Sequence, residues 1–200
     1  MTPIQAQGLP VILSGNDLLA QAKTGSGKTA AFAIGLLQSL DVKLYKTQAL
    51  VLCPTRELAD QVSKEIRRLA RAIPNTKILT LCGGKPLGPQ LASLEHSPHI
   101  VVGTPGRILK HLIDKQSLNL DNLKTLVLDE ADRMLDMGFY EDIMQIIHTT
   151  PRQRQTLLFS ATYPEKIKGI VILTVSLIMT YFWFFSAEIN PEGTIPNIFK

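Results

Sequence analysis

Short apolar runs alternate with longer segments of mixed polarity along the first 168 residues of the chain. Each run is continuously apolar and is bounded by glycine, proline or charged residues, which is typical of a strand that is buried on both faces. The predicted strands cover residues 17–22, 48–54, 77–83, 99–105, 125–131 and 155–162.

The segments between these strands have the spacing of amphipathic helices. In residues 56–73, apolar side chains recur on one helical face, at Leu58, Val62, Ile66 and Leu69. Further helices are predicted over residues 30–40, 86–96, 106–114 and 139–149. A strict strand–helix alternation predicts an α/β fold with a parallel sheet covered by helices on both faces. In such sheets, ligands bind beyond the carboxyl ends of the strands.

Composition sets loose limits on this picture. The chain has 200 residues, of which 45% are hydrophobic, enough for one sizeable domain. Its net charge of +4 is compatible with a polyanionic partner and equally with a basic protein that binds no nucleic acid.

The two cysteines, Cys53 and Cys82, lie inside apolar runs and form no CxxC pair. Their placement argues against a zinc site or a disulfide framework and favours buried, reduced thiols. The opening residues have neither a basic start nor an apolar core, so they do not resemble a signal peptide. Both features predict a cytoplasmic protein.

A glycine-rich loop follows the first predicted strand and precedes a helix. The segment "AKTGSGKT", residues 22–29, fits the phosphate-binding pattern G-x-x-x-x-G-K-[ST], except that Ala22 replaces the first glycine. Gly25 and Gly27 let the backbone amides wrap a phosphate at a helix N-terminus. Lys28 can neutralise the β and γ phosphates, and Thr29 can offer a hydroxyl to Mg²⁺. The loop residues predicted to bind nucleotide are Ala22, Thr24, Gly25, Ser26, Gly27, Lys28 and Thr29.

Two adjacent acids end the fifth predicted strand. Asp129 suits the role of holding Mg²⁺, and Glu130 suits a base or positioner for an attacking water. Lys28, Asp129 and Glu130 are therefore the predicted catalytic residues, and Thr29 and Asp129 the predicted metal ligands. These residues alone indicate a P-loop nucleoside triphosphatase, and leave kinase, GTPase, motor and helicase open. The N-K-x-D motif that GTPases commonly use for base reading does not occur.

Six motifs, in their usual order, resemble those of a DEAD-box RNA helicase. They are "AKTGSGKT" (22–29), "PTRELA" (54–59), "GG" (83–84), "TPGR" (104–107), "DEAD" (129–132) and "SAT" (160–162). The resemblance extends over about residues 1–168 and implies a RecA-like domain that binds ATP, Mg²⁺ and RNA. Residues 81–112 are most similar to one bacterial branch of the family, which acts on large-subunit ribosomal RNA.

The resemblance also implies roles for individual residues. Gln5, in "TPIQ", is expected to hydrogen-bond the adenine edge. Asp132, Ser160 and Thr162 are expected to connect the nucleotide site with the RNA side. The expected contacts to the RNA backbone are Pro54, Thr55, Arg56, Gly83, Gly84, Thr104, Pro105, Gly106 and Arg107. Hydroxyls, guanidinium groups and glycines suit a sugar–phosphate backbone, although PTRE and TPGR also suit helix N-cap turns.

Two departures from the family pattern limit the expected activity. Family members carry an aromatic residue upstream of "TPIQ" that stacks on adenine, and here Met1 stands at that end. The family's second RecA-like domain, with its H-R-x-G-R-x-G-R motif, does not occur in the sequence. We therefore expect weak binding of ATP–Mg²⁺ and RNA, and negligible ATPase or unwinding by the chain alone. A non-catalytic nucleotide- or RNA-binding module is the alternative, and a P-loop kinase would leave DEAD, SAT and TPGR unexplained.

The composition changes near residue 170. Residues 169–187 carry no charge and have the length that can cross a bilayer. The family has a charged amphipathic helix here, followed by a last strand. We therefore predict a helicase domain over residues 1–170 and an atypical tail over residues 171–200, produced by a frameshift, insertion or fusion, with a membrane anchor as the alternative.

Overall fold

The computed structural model describes residues 1–162, 167, 169 and 170, together with the backbone of residues 185 and 186. Its centre is a parallel sheet with the strand order β3-β4-β2-β5-β6-β1-β7. The strands are β1 (Leu18–Gln21), β2 (Ala49–Leu52), β3 (Ile78–Leu81), β4 (Ile100–Gly103), β5 (Thr125–Asp129), β6 (Gln155–Ser160) and β7 (Phe185–Ser186).

Helices cover both faces of this sheet. They are α1 (Pro3–Leu13), α2 (Lys28–Gln38), α3 (Arg56–Leu69), α4 (Leu87–Leu94), α5 (Pro105–Leu109), α6 (Ala131–Asp136) and α7 (Tyr140–His148). A 3₁₀ turn over Ala70–Ala72 extends α3, and a π-helical turn over Lys110–Asp114 extends α5.

The central strands have apolar side chains on both faces of the sheet because both faces are buried. In β2, Ala49 and Val51 pack into the apolar core beneath α1, α2 and α3. Leu50 and Leu52 point the other way, into the core beneath α5, α6 and α7. The prediction of a parallel α/β sheet with helices on both faces is confirmed.

The element boundaries differ from the sequence prediction at several points. α1 and α6 were not predicted, because Gly8 and Pro10 interrupt the apolar pattern of α1 and α6 has only six residues. The strands are shorter than the apolar runs, since residues such as Pro54 continue into the loops beyond the sheet. The helix predicted over residues 106–114 changes hydrogen-bonding pattern after Leu109.

The end of the chain is only partly described. Ile167 and Ile170 are buried in the core beneath α6 and α7. The backbone of Phe185–Ser186 pairs with β1. No helix within residues 1–162 or the short described pieces beyond them has the length and apolar character for crossing a membrane. Most of residues 169–187 lies outside the described residues, so the predicted tail and the membrane alternative stay predictions.

Candidate functional site

All the predicted site residues after α1 lie at the carboxyl edge of the sheet, as the last residue of a strand, in the loop that follows it or in the helix turn that begins there. The residues predicted to bind nucleotide end or follow β1 and β5, and the residues predicted for coupling end or follow β5 and β6. Those for RNA follow β2, β3 and β4. In the sheet, β3, β4 and β2 are neighbours on one side, and β5, β6 and β1 are neighbours on the other. The fold therefore sorts the two predicted sites onto the two halves of one edge.

The glycine-rich loop connects β1 to α2. Its first residue, Ala22, donates its backbone N–H to Ser160 O at 2.9 Å, which continues the pairing of β1 with β6. Gly25 and Gly27 have φ of +82° and +87°, in the left-handed region that favours glycine. This conformation turns the chain sharply into α2, where Gly27 is the N-cap residue. The loop thus leads directly into the first turn of α2, whose N–H groups have no partner within the helix, as a phosphate site requires.

Gln5 connects the N-terminal segment to this loop. Its Nε2 donates to Gly27 O at 3.2 Å, and its Oε1 accepts the backbone N–H of Thr2 at 3.0 Å. A Cβ on residue 27 would lie 2.7 Å from Gln5 Nε2, so the contact needs glycine there. The Gln5 amide already uses one N–H and one lone pair within the chain. The adenine contact predicted for Gln5 stays a prediction.

Lys28 lies between the two acids that end β5. Its Nζ is 2.9 Å from Asp129 Oδ1 and 3.6 Å from Glu130 Oε1. The Lys28 and Asp129 side chains are buried, with relative exposures of 5% and 0%. A buried ammonium and a buried carboxylate are tolerated together because each compensates the other's charge. The predicted catalytic residues Lys28, Asp129 and Glu130 are thus in contact.

The two acids have pKa values shifted in opposite directions. Burial raises the pKa of Asp129 above its ordinary value, against the opposing charge of Lys28. Burial would also raise the pKa of Glu130, but hydrogen bonds from Thr24 and Arg133 and the charge of Lys28 lower it instead. Glu130 is therefore held as a carboxylate, the form that a proton acceptor requires.

Both carboxylate oxygens of Glu130 have partners within the chain. Oε1 accepts from Thr24 Oγ1 at 2.8 Å, and Oε2 accepts from Arg133 Nη1 at 2.6 Å. Glu130 itself has φ 54° and ψ 53°, a left-handed conformation that is uncommon for a residue with a side chain. Strained conformations of this kind concentrate at functional sites.

Two buried polar atoms fit a phosphate–metal group. Asp129 Oδ2 and Ser26 Oγ are buried and lack a well-oriented hydrogen bond from the described part of the chain. Buried oxygen atoms of this kind need a partner, and a hard cation with a phosphate would supply one. Within the described residues, no cluster of three His, Cys, Asp or Glu side chains offers an all-protein metal site.

The predicted coupling residues form a hydrogen-bonded set. Asp132 Oδ2 accepts the backbone N–H of Thr162 at 2.9 Å and the Thr162 hydroxyl at 3.0 Å. Ser160 Oγ accepts the backbone N–H of Asp132 at 3.2 Å and donates to Thr162 O at 2.6 Å. These bonds join the end of β6 to α6, one turn from Glu130.

The Thr55 and Arg56 pair begins α3. Thr55 Oγ1 accepts the backbone N–H of Leu58 at 3.2 Å, so this hydroxyl is an N-cap, and Pro54 before it is buried. The exposed Arg56 extends toward Gly84, which has φ +71°. A Cβ on residue 84 would collide with the Arg56 guanidinium. Arg56 and Gly84 are therefore brought together, with Gly83 beside them and open space where its Cβ would be.

The segment "TPGR" begins α5. Thr104 is its N-cap residue but makes no side-chain cap bond, Pro105 is buried, and Gly106 is exposed. Arg107 is half-buried and donates to Gln90 Oε1 and to Lys85 O, at 3.2 and 3.1 Å. Arg107 is thus connected to the loop that carries Gly83 and Gly84.

The sequence did not indicate three residues of these sites, Arg133, Gln90 and His111, nor one contact of the predicted residue Thr24. Arg133 lies three positions after Glu130 on one helix turn, a spacing that could have indicated the ion pair. The hydrogen bond of Thr24 to Glu130 joins residues 106 positions apart and has no local signal in the sequence. Gln90 and His111 are buried polar residues inside predicted helices, and their connection to Arg107 depends on tertiary packing.

Comparison with known proteins identifies the same family as the motifs. The family model described as DEAD/DEAH box helicase matches residues 2–170. The ATP-dependent RNA helicase DbpA of Escherichia coli is 66% identical over 170 residues, covering 85% of this chain and 37% of DbpA. The ATP-dependent RNA helicase CshA of Listeria monocytogenes is 51% identical over 169 residues, which are 84% of this chain and 32% of CshA. The chain thus spans about a third of the length of these relatives.

Solved structures share the fold. A DEAD box protein from the hyperthermophile Methanococcus jannaschii superposes with a TM-score of 0.85 at 43% identity, over 95% of this chain and 50% of that one. A hypothetical ATP-dependent RNA helicase from Sulfolobus tokodaii gives a TM-score of 0.79 at 38% identity, over 92% and 52% of the two chains. The predicted RecA-like fold and the predicted similarity to a bacterial branch of the family are confirmed. The chain belongs to the DEAD/DEAH box helicase family.

Proposed function

We propose that this chain is the ATP-binding core domain of an RNA helicase. It binds ATP at residues 22–29 and the RNA sugar–phosphate backbone at the loops after β2, β3 and β4. In a longer protein with a second RecA-like domain, ATP hydrolysis at this site drives the unwinding of RNA duplexes. The separation of the two sets of motifs onto the two halves of one sheet edge is the observation that carries this proposal.

Mg²⁺ is the cation proposed for the nucleotide site. Thr29 and Asp129 are the residues that would hold it, directly or through water, and the buried Asp129 Oδ2 supports this assignment. The ion neutralises phosphate charge when bound. Lys28 is already within the same cluster, so a nucleotide phosphate competes with Asp129 for its ammonium. Glu130, once released by Thr24, is the group that accepts a proton from an attacking water or orients it.

The RNA contacts are proposed to be independent of base sequence. Arg56 and Arg107 offer guanidinium forks, and Thr55 and Thr104 supply hydroxyls or helix N-termini, all suited to phosphates. Target choice must therefore come from elsewhere in a full-length protein. The similarity over residues 81–112 supports ribosomal RNA as that target, and the free, buried thiols of Cys53 and Cys82 support the cytoplasm as the location.

Two binding measurements test the proposal on the purified chain. A fluorescent ATP analogue with Mg²⁺ should bind the wild type, and Lys28→Ala should reduce this binding at least tenfold, because the phosphates lose the ammonium at the first position of α2. A labelled oligouridylate should bind the wild type in a salt-sensitive way. Arg107→Ala should weaken RNA binding without changing nucleotide binding. Equal loss of both by either variant would contradict two separate sites.

A non-catalytic binding module is the second candidate. It is favoured by the internal contacts of both Glu130 oxygens and of Lys28, which occupy these two groups in the absence of a ligand. Such a module stays inactive even when a second RecA-like domain is supplied. The helicase domain gains turnover under the same condition, since an arginine finger contributes about 10³–10⁵ in rate.

A further inference from the structure

A buried side-chain amide connects three segments beneath the proposed RNA site. Gln90 Oε1 accepts from Arg107 Nη1 at 3.2 Å and lies 3.0 Å from His111 Nε2. Gln90 Nε2 donates to Cys82 O at 3.1 Å. Arg107 Nη2 donates in turn to Lys85 O at 3.1 Å. Gln90 and His111 are 6% and 0% exposed, so their polar atoms depend on these partners.

The chemistry of the partners fixes the direction of each bond to Gln90. A guanidinium can only donate and a backbone carbonyl can only accept, so the Gln90 amide has one orientation. Because Gln90 Oε1 can only accept, His111 Nε2 must carry the hydrogen. The other ring nitrogen, Nδ1, lies 2.9 Å from Ser117 Oγ and accepts its hydroxyl in the neutral ring. Burial, with the charges of Arg107 and Lys110, lowers the pKa of His111 and so favours this neutral form.

The π-helical turn is what brings His111 into this network. Lys115 donates its backbone N–H to Lys110 O at 3.1 Å, the five-residue spacing of a π turn. Ser117 donates its backbone N–H to His111 O at 2.9 Å, which returns the chain so that the Ser117 hydroxyl reaches the ring. Single π turns are rare and occur frequently at functional sites.

We propose that Gln90 and His111 are positioning residues of the RNA-backbone site. They hold the Arg107 guanidinium and the loop over residues 83–85 as one preorganised phosphate-binding unit. Arg107 uses two of its five N–H groups on Gln90 and Lys85 and keeps the others for a phosphate. A long side chain that is already fixed loses less freedom on binding, so preorganisation strengthens the contact. This inference rests on the proposed function, which assigns Arg107, Gly83 and Gly84 to RNA.

Fluorescence anisotropy with a labelled oligouridylate at low salt tests the role. Gln90→Met should weaken RNA binding about tenfold, the effect expected from losing a hydrogen bond to a charged group. His111→Met should weaken it about threefold or more. His111→Gln should bind like the wild type, because the glutamine nitrogen can take the place of Nε2 as donor to Gln90. The same change at an exposed histidine, His96→Met, is the control and should have no effect.

A double-mutant cycle separates positioning from general damage to the fold. If Gln90 acts through Arg107, adding Gln90→Met to Arg107→Ala should weaken RNA binding no further. Additive losses, or equal losses in His111→Gln and His111→Met, would overturn the inference.

Hydrogen exchange of the free chain keeps this test independent of the proposed function. Gln90→Met should raise exchange in residues 83–85 and leave the glycine-rich loop over residues 22–29 as it is in the wild type. Unchanged exchange in residues 83–85 would overturn the positioning role. Wild-type RNA binding by Arg107→Ala, by contrast, would contradict the proposed RNA site alone.

Discussion

Lys28 Nζ and Asp129 Oδ1 lie 2.9 Å apart in a buried ion pair at the carboxyl edge of the sheet. Lys28 belongs to the loop after β1 and Asp129 to the end of β5, so the pair connects two strands that β6 separates. A nucleotide phosphate can replace Asp129 as the counter-charge of Lys28, and the cation bound with the nucleotide can replace Lys28 as the counter-charge of Asp129. The pair therefore stabilises the site without nucleotide and is the contact that binding must rearrange.

Removing Lys28 should leave Asp129 buried without its counter-charge. Lys28→Met should lower the free energy of unfolding by about 3 kcal/mol near pH 7, as loss of one partner of a buried pair does. Adding Asp129→Asn should recover a large part of this loss, because the uncompensated charge is then gone. Urea denaturation of the two single variants and the double variant measures the coupling. Strictly additive losses would contradict a functional ion pair.

Gly84 and Gly138 offer a matched pair for the Arg56 contact. Both have positive φ, +71° and +84°, but a Cβ would collide with the Arg56 guanidinium only at residue 84. Alanine at either position should destabilise the fold by about 1 kcal/mol through backbone strain. Only Gly84→Ala should also weaken RNA binding, because it displaces Arg56. Anisotropy with an oligouridylate checks this, and equal RNA binding by the two variants would argue against Arg56 as a contact.

We expect nucleotide binding and RNA binding to be coupled through the hydrogen-bonded set of Asp132, Ser160 and Thr162. The set itself forms neither of the two binding sites. Asp132→Asn replaces the carboxylate that accepts two bonds from Thr162, and should destabilise the fold by about 1–2 kcal/mol. Together with a second RecA-like domain, this variant should bind nucleotide and RNA separately but lose the increase in RNA affinity that an ATP analogue gives. RNA titrations with and without the analogue measure this difference. A variant that keeps the full increase would remove these residues from the coupling path.

The pH dependence of stability should reveal the two buried histidines, His99 and His111. Burial lowers both pKa values below the ordinary 6.5, so the unfolded chain takes up protons before the native state does. Stability should therefore be independent of these rings above about pH 7 and fall as the pH decreases through 6.5 toward 5.

Histidine variants separate the contribution of His99 and His111 to the pH dependence of stability from the contribution of the carboxylates. His99→Asn combined with His111→Gln should flatten the stability curve between pH 7 and 5. The same number of changes at the exposed histidines, His96→Gln with His148→Gln, should preserve the wild-type slope. Thermal unfolding at half-unit pH steps measures both, and equal flattening by the two double variants would contradict the assignment to the buried rings.

The parts of the fold that the sequence predicts are those with a local cause. Continuous apolar runs located β1 to β6, and the spacing of Leu58, Val62 and Ile66 located α3. The glycine-rich loop was recognisable because glycine and lysine spacing reflects phosphate chemistry directly. The contact of Asp132 with Thr162 followed from family resemblance and is present.

The parts that the sequence does not predict depend on contacts between distant segments. Gln90 falls inside a predicted helix, and it lies buried against Arg107 and His111 because α4 and α5 pack on the same half of the sheet. The π-helical turn after Leu109 has no local signature in "KHLID". Gln5 illustrates the same limit, since its bond to Gly27 arises from the packing of α1 against α2.

RNA-stimulated ATP hydrolysis by a reconstituted pair of domains tests the central claim most directly. The chain is mixed with a separately produced second RecA-like domain of a DEAD-box relative, and phosphate release is followed with and without an oligouridylate. The account predicts little turnover by either domain alone, clear RNA-stimulated turnover by the mixture, and its loss in Glu130→Gln and Lys28→Ala. A mixture that stays inactive although both partners are folded and bind nucleotide or RNA, or turnover that survives Glu130→Gln, would contradict it.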